Sequence, residues 1–188
     1  MKLIVLTAPS GAGKTTIARR LMATVPGLVF SVSATTRPPR AGETDGVDYH
    51  FLSLTVFHER LDAGDFVEHE EVYPGRFYGT LAPELERLAA AEGTRAVVLD
   101  VDVKGAANVK RLYGARALTL FIQPPSLDAL EARLRARGTE SDAQVATRLA
   151  RAEMEMRAAP AFDAVVVNDD LDAAVAETVA LVTAFLDS

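Results

Sequence analysis

Nine consecutive residues near the start of the chain have the makings of a polyphosphate site: Ala8, Pro9, Ser10, Gly11, Ala12, Gly13, Lys14, Thr15 and Thr16. Gly11 and Gly13 lack a Cβ, so the backbone can take unusual dihedrals and bring several N–H groups close to phosphate oxygens. Lys14 supplies a mobile charge for the β and γ phosphates, and the Thr15 hydroxyl suits Mg²⁺. The string departs from G-x-x-x-x-G-K-[ST] at one place, where Ala8 stands for the first glycine. A turn that merely joins a strand to a helix would use the same glycines, and the flanks decide between the two. Residues 2–7 predict a buried strand, and the apolar-periodic run 16–24 predicts a helix whose N-terminal dipole and unpaired N–H groups point at the bound anion.

The elements that hold such a loop alternate along the chain. Strands are expected at 28–33, 49–52, 66–72, 76–78, 96–99, 117–122 and 164–167. Helices are expected at 54–63, 82–91, 103–112, 127–137, 143–158 and 171–186, from their 3.6-residue apolar period. The segment 36–43, with Pro38, Pro39, Gly42 and two arginines, cannot be a regular helix and reads as a loop built to present side chains. Close spacing of the short strands between 49 and 78 predicts a small antiparallel patch. Strands separated by helices elsewhere predict an α/β fold, a P-loop parallel sheet covered by helices on both faces with ligands at the carboxyl ends of its strands.

Composition narrows the function. A chain of 188 residues, 49% hydrophobic and 24% charged, can bury most of its apolar surface in one α/β core with a small insertion. A net charge of −6 argues against a general nucleic-acid or anionic-membrane partner. Of the 20 basic residues only Lys2, Lys14, Lys104 and Lys110 are lysine; the rest are arginine, whose planar fork suits phosphate. Cysteine is absent, which removes disulfides, thiolate zinc sites and a thiol nucleophile. No signal peptide or membrane span is visible in the sequence, and a cytoplasmic setting is expected. His50, His58 and His69 lack metal-ligand spacing and are expected to pack structurally.

Several further strings resemble guanylate kinase across essentially the whole chain. They are the P-loop from Ala8 to Lys14, the stretch 30–43 with Gly46-Val47-Asp48-Tyr49 after it, Arg137-Gly138-Thr139-Glu140, and Val167-Asn168-Asp169-Asp170. The resemblance implies transfer of the γ-phosphoryl group of ATP to GMP, with Mg²⁺ required. It further implies a core of residues 1–32, 80–123 and 160–188, a mixed α/β GMP-binding subdomain at 33–79, and a helical lid at 124–159.

By the same resemblance, Arg37, Arg40, Tyr49 and Tyr78 bind the GMP phosphate, and Ser33, Glu68, Thr80 and Asp102 face the guanine. Carboxylates accept hydrogen bonds and cannot donate, so Glu68 and Asp102 match the N1 and N2 donors of guanine. The plainer alternative makes Glu68 one of a string of exposed acids with Glu70 and Glu71. ATP would lie along residues 8–16 with Asn168 and Asp169 near the adenine, and Thr15, with Asp100 acting through water, would hold Mg²⁺. Arg137 and Arg148 would close over ATP and, with Lys14 and Arg40, form the catalytic set. Arg133, Arg151 and Arg157 are expected instead to be solvated and paired to acids at helical spacing. Between Glu68 and Tyr78 the chain is one residue longer than the family's usual segment. A peptide-binding module of the same fold, or a kinase for another monophosphate, would share the P-loop. Such relatives need not keep Arg37, Arg40, Glu68, Arg137 and Arg148 together.

Overall fold

The computed structural model describes residues 1–136, 138 and 141–188, the Tyr73 side chain excepted. In chain order the elements are β1 (Leu3–Thr7), α1 (Lys14–Thr24), β2 (Leu28–Phe30), β3 (Ala34–Thr35), β4 (His50–Phe51), α2 (Leu54–Asp62), β5 (Phe66–Tyr73), β6 (Arg76–Leu81), α3 (Ala82–Ala90), β7 (Ala96–Asp100), α4 (Val103–Tyr113), β8 (Ala117–Gln123), α5 (Leu127–Ala136), α6 (Asp142–Arg157), β9 (Ala164–Val167) and α7 (Leu171–Asp187). Single 3₁₀ turns at Gly114–Arg116 and Ala159–Ala161 precede β8 and β9. The chain divides into two compact units, Met1–Leu3 with Gly27–Ala117, and Ile4–Pro26 with Leu118–Ser188.

In the unit that carries the P-loop, β1, β8 and β9 run in that order, and β8 lies parallel to β9 from Leu120 opposite Ala164 to Gln123 opposite Val167. All five residues of β1 are buried, as its unbroken apolar run requires for a strand covered on both faces. Ile17, Ile122, Val166, Ala174 and Val175 form one core cluster, and Leu130, Leu134, Val145 and Ala152 join α5 to α6 in another. Ala8 packs against the first cluster, and its backbone is not left-handed. Alanine therefore replaces the motif's first glycine without strain.

In the other unit β2 lies parallel to β7, and a four-stranded mixed sheet runs in the order β4-β3-β6-β5. The antiparallel patch expected of the strands between 49 and 78 holds for β5 with β6, whereas β4 pairs parallel with β3, a strand not expected from the sequence that itself runs antiparallel to β6. The strand expected at 28–33 stops at Phe30. Ser31 N–H donates a last bond to the Val98 carbonyl, and the chain then leaves for the mixed sheet, where Ala34 and Thr35 pair with Gly79 and Tyr78. The strand expected at 76–78 instead runs on to Leu81, because Gly79, Thr80 and Leu81 are paired and buried. Phe57 and Phe66 stack 4.3 Å apart over this sheet, with Ala34 and Leu81 completing the cluster.

Between Glu68 and Tyr78 the pairing of β5 with β6 carries a bulge. Glu71 faces Phe77 and Tyr73 faces Arg76, so Val72 has no opposite number. Pro74 and Gly75, the latter at φ 73°, close the hairpin as the two residues of a tight turn.

Candidate active site

Gly11 and Gly13 sit at φ 98° and 99°, and no other residue type among those described has positive φ. Each also allows a close approach. A Cβ on Gly11 would meet Leu134 Cδ2 at 2.9 Å and Leu130 Cδ1 at 3.0 Å, so α5 lies directly on the loop. A Cβ on Gly13 would collide with Asn168 Nδ2. That amide donates to the Ala12 carbonyl at 2.7 Å, while Asn168 N–H donates to Gln123 O at 2.7 Å. Buried Asn168, just past the end of β9, thus ties the P-loop to its sheet. Gly13 is the left-handed residue preceding α1, and Lys14, Thr15 and Thr16 form the first helical turn, the two threonines exposed.

Alanine at position 13 is expected to cost roughly 1–2 kcal/mol in backbone strain and in addition to push Asn168 off Ala12. Gly93, at φ 81° with open space around it, is the control for strain alone. Gly13→Ala should lower Tm more than Gly93→Ala does. Equal Tm losses would remove the packing role of Asn168.

Arg148 on α6 donates to the Ser10 hydroxyl. Among the described residues Arg133 pairs with no acid, against the expectation from sequence. Its Nη2 donates to the Asn168 carbonyl at 2.8 Å, joining α5 to the residue that holds the P-loop. The helical pairing expected for Arg151 and Arg157 is present, to Glu155 and Glu153. Arg137 lies outside the described residues. Asp169 is exposed, and Asp170 caps α7 by accepting from Ala173 N–H at 2.8 Å.

In the other unit, Arg37 is 6% exposed and its guanidinium forks onto Glu43 at 2.6 and 2.7 Å. It lies over the rings of Tyr49 and Phe51, 4.9 and 5.6 Å from their centroids, and Tyr49 meets Tyr78 edge-on at 5.9 Å. Arg40 is exposed, and its N–H donates to the same Glu43 carboxylate at 2.7 Å. The Arg37 fork first, and that N–H second, hold the Glu43 carboxyl down at about 2. Burial lifts the Tyr49 phenol, so it stays a neutral donor.

Glu68 is not one of a string of exposed acids. It is 7% exposed on β5, while Glu70, two residues on, reaches Lys104 and Glu71 is exposed and caps Gly75 N–H. Glu68 Oε1 accepts from the Thr80 hydroxyl at 2.6 Å. Burial pushes its carboxyl up to about 7; the Thr80 bond opposes the shift, and the nearby Asp102 charge adds to it. Gly105 leaves room for this carboxylate, since a Cβ there would meet Oε2 at 2.7 Å. Asp102 caps α4, accepting from Gly105 N–H at 2.8 Å through Oδ1, and Ser33 is half-buried beside β3, its carbonyl accepting from His50 N–H. Asp100 ends β7 and couples electrostatically to Tyr49. Arg37, Tyr49 and Tyr78 therefore gather at one place, and Glu68, Thr80 and Asp102 at another, in the same unit.

A family model described as guanylate kinase matches residues 1–184. A guanylate kinase from Salinibacter ruber is 59% identical over 186 residues, 99% of this chain and 97% of that protein. The chain belongs to the guanylate kinase family. Another guanylate kinase, from Bacteroides fragilis, is 49% identical over 98% of this chain and 90% of its own. The crystal structure of guanylate kinase from Anaplasma phagocytophilum matches with a TM-score of 0.73 at 31% identity, over 99% of this chain and 84% of that one. The chain is accordingly an enzyme, a nucleoside monophosphate kinase that transfers a phosphoryl group from ATP to GMP, and it has the α/β fold of guanylate kinase.

For a guanylate kinase the sequence alone left two contacts without a role, Glu43 on Arg37 and Arg133 on Asn168. No regular spacing in the proline-rich loop marks the first. Nothing local marked the second. Among the described residues no group of three or more His, Asp and Glu could hold a metal alone, and no helix is long and apolar enough to cross a membrane.

Proposed function

We propose a division of labour for the ATP:GMP phosphotransfer in which residues 8–16, Arg137, Arg148, Asn168 and Asp169 handle ATP, while Ser33, Arg37, Arg40, Tyr49, Glu68, Tyr78, Thr80 and Asp102 handle GMP. The acceptor is a phosphate monoester with a second pKa of about 6, already an anionic nucleophile at neutral pH. No general base is required. The barrier is repulsion between phosphates, so catalysis consists of in-line positioning and positive charge at the transferring group. Lys14, Arg40, Arg137 and Arg148 supply that charge. Core residues 1–32, 80–123 and 160–188 carry the P-loop, 33–79 bind GMP, and 124–159 act as a lid that excludes water from the reacting phosphates.

Mg²⁺ would take the exposed Thr15 hydroxyl of the P-loop as its protein ligand, as a small hard cation that draws much of its shell from phosphates and water, and Asp100 is the acid assigned to act on it through water. When bound it neutralises charge on the β and γ phosphates. Substrates are ATP and GMP, the setting is the cytoplasm, and neither nucleic acid nor membrane is a partner.

The observation that supports this reading most is the buried Glu68 carboxylate beside Thr80, an acceptor set that suits guanine N1 and N2 and leaves adenine unpaired. Steady-state kinetics with GMP, AMP and UMP test it: GMP should be preferred by about 10⁴-fold or more, and comparable use of AMP would overturn it.

The titration of Glu68 gives a second test. Guanine binds the carboxylate, so guanosine affinity should be full above pH 7 and fall as pH drops through about 7, by up to tenfold per unit. Glu68→Gln should flatten the profile. Stability runs the other way, because the folded pKa stands above the unfolded value of about 4.3. This group's contribution is complete below that value and is lost as pH rises through about 7, so ligand-free protein should lose Tm relative to Glu68→Gln across that window. Parallel Tm curves for the two proteins would contradict the assignment.

A further inference from the structure

Arg37 and Arg40, the two arginines read as meeting the acceptor phosphate, are both organised by one carboxylate, and that carboxylate has no place in the phosphotransfer itself. Glu43 Oε2 accepts from Arg37 Nη1 at 2.6 Å and from Arg40 N–H at 2.7 Å, while Oε1 accepts from Arg37 Nη2 at 2.7 Å. Glu43 N–H donates back to the Arg40 carbonyl at 3.1 Å, which closes the turn through Gly42 at φ 87°. Charge-assisted bonds of this kind are short and directional, so one side chain fixes both the course of the loop and the plane of a guanidinium.

Which edge of that guanidinium is used matters. Three of its five N–H groups are spent, two on Glu43 and one on the Pro38 carbonyl at 3.0 Å. The spent pair is the Nη1 and Nη2 end. Among the described residues the side edge, made of Nε–H and the second Nη2–H, meets no carboxylate or carbonyl, and the Tyr49 and Tyr78 hydroxyls share hydrogen bonds with the same guanidinium. A side edge with two parallel donors, flanked by phenol hydroxyls, matches a tetrahedral oxyanion.

We propose that Glu43 is a positioning residue for the acceptor phosphate: it holds the end of the Arg37 fork and the Arg40 amide so that the side edge of Arg37 is presented to a phosphate monoester. The proposal rests on Arg37 being a ligand of the GMP phosphate. Two other roles make opposite predictions. A carboxylate occupying the phosphate seat would compete with GMP, so removing it would tighten binding. One that serves only folding would, when removed, weaken GMP and guanosine alike.

Calorimetric titration of wild type, Glu43→Ala, Glu43→Gln and Arg37→Ala with GMP and with guanosine separates these cases. Glu43→Ala should weaken GMP at least tenfold and guanosine less than twofold. Glu43→Gln keeps an acceptor for the Arg40 amide and one fork leg, so it should fold where alanine does not and weaken GMP by a smaller factor; ATP affinity should stay within twofold in both. In the Arg37→Ala background Glu43→Gln should have no further effect on GMP. Tighter GMP binding, or equal loss for GMP and guanosine, overturns the proposal alone. An unchanged GMP-to-guanosine ratio in Arg37→Ala overturns the Arg37 assignment and the proposal with it.

Discussion

Lys14→Ala is expected to lower GMP-dependent turnover by about 10²–10³-fold or more, the scale on which one preorganised donor to a developing charge is lost. Lys14 opens α1, directly after a left-handed Gly13, where the helix N-terminus and the loop N–H groups already favour an anion. Its ammonium adds the one mobile full charge of the P-loop itself. The side chain is a half-buried polar group outside the apolar clusters described above, so Tm should move by only a few degrees. Lys14→Arg keeps the charge and should still fail largely, because a planar fork on a longer stem cannot take the place of a compact ammonium in a loop this tight. Turnover within tenfold of wild type for Lys14→Ala, at saturating ATP and GMP, would remove Lys14 from the catalytic set.

Glu68→Ala should raise the KM for GMP by about 10²–10⁴-fold, the loss of two hydrogen bonds to a charged acceptor at roughly 1.5–3 kcal/mol each. The KM for ATP should remain near its wild-type value. Glu68→Gln is the sharper variant. The amide has the shape of the carboxylate but turns one acceptor into a donor, which would oppose a guanine N–H. It also removes a buried carboxylate that titrates at about 7, so the ligand-free protein should gain stability at pH 8 while GMP use falls by a factor close to that for alanine. A protein whose KM values for GMP and ATP rise together in Glu68→Ala has Glu68 as a structural residue of β5, and the guanine assignment falls. Thr80, buried and bonded to Glu68, sets the carboxylate's orientation, and its loss should give a smaller change in the same direction.

How much of this was legible in the sequence depends on the range of the interaction. The P-loop was readable because strand, turn and helix start lie within about twenty residues and each has its own signal: an apolar run, paired glycines and a 3.6-residue period. Asp102 and Asp170 cap α4 and α7 by an equally local rule, an acid standing directly before an apolar-periodic run. The break after Phe30 was not, because residues 28–33 are uniformly strand-like and only the pairing of Ala34 and Thr35 with β6 ends one strand and starts another. β6 was cut short at Tyr78 because Gly79 reads as a breaker, whereas in the sheet a Cβ there would meet Phe66 Cδ1 at 2.7 Å.

Among the site residues, charge type was legible and partner was not. Arg133 has an acid two positions earlier and none at helical spacing in the described part of α5, yet nothing local points to a carbonyl 35 residues away. The Asn168 amide reaches Ala12 across 156 residues. Glu43 lies in an irregular loop without a period, so its place six residues from Arg37 carried no expectation. Glu68 and its neighbours Glu70 and Glu71 look alike as letters, and only β5 register and the packing of α4 bury one while leaving another exposed.

The most direct test of the whole account is ADP release from Mg²⁺-ATP by the purified protein, with GMP, AMP, UMP or no acceptor present. ADP should form with GMP, accompanied by an equal amount of GDP, and at background rate in the other three reactions. ADP release that ignores GMP, or proceeds equally well with AMP, would contradict it.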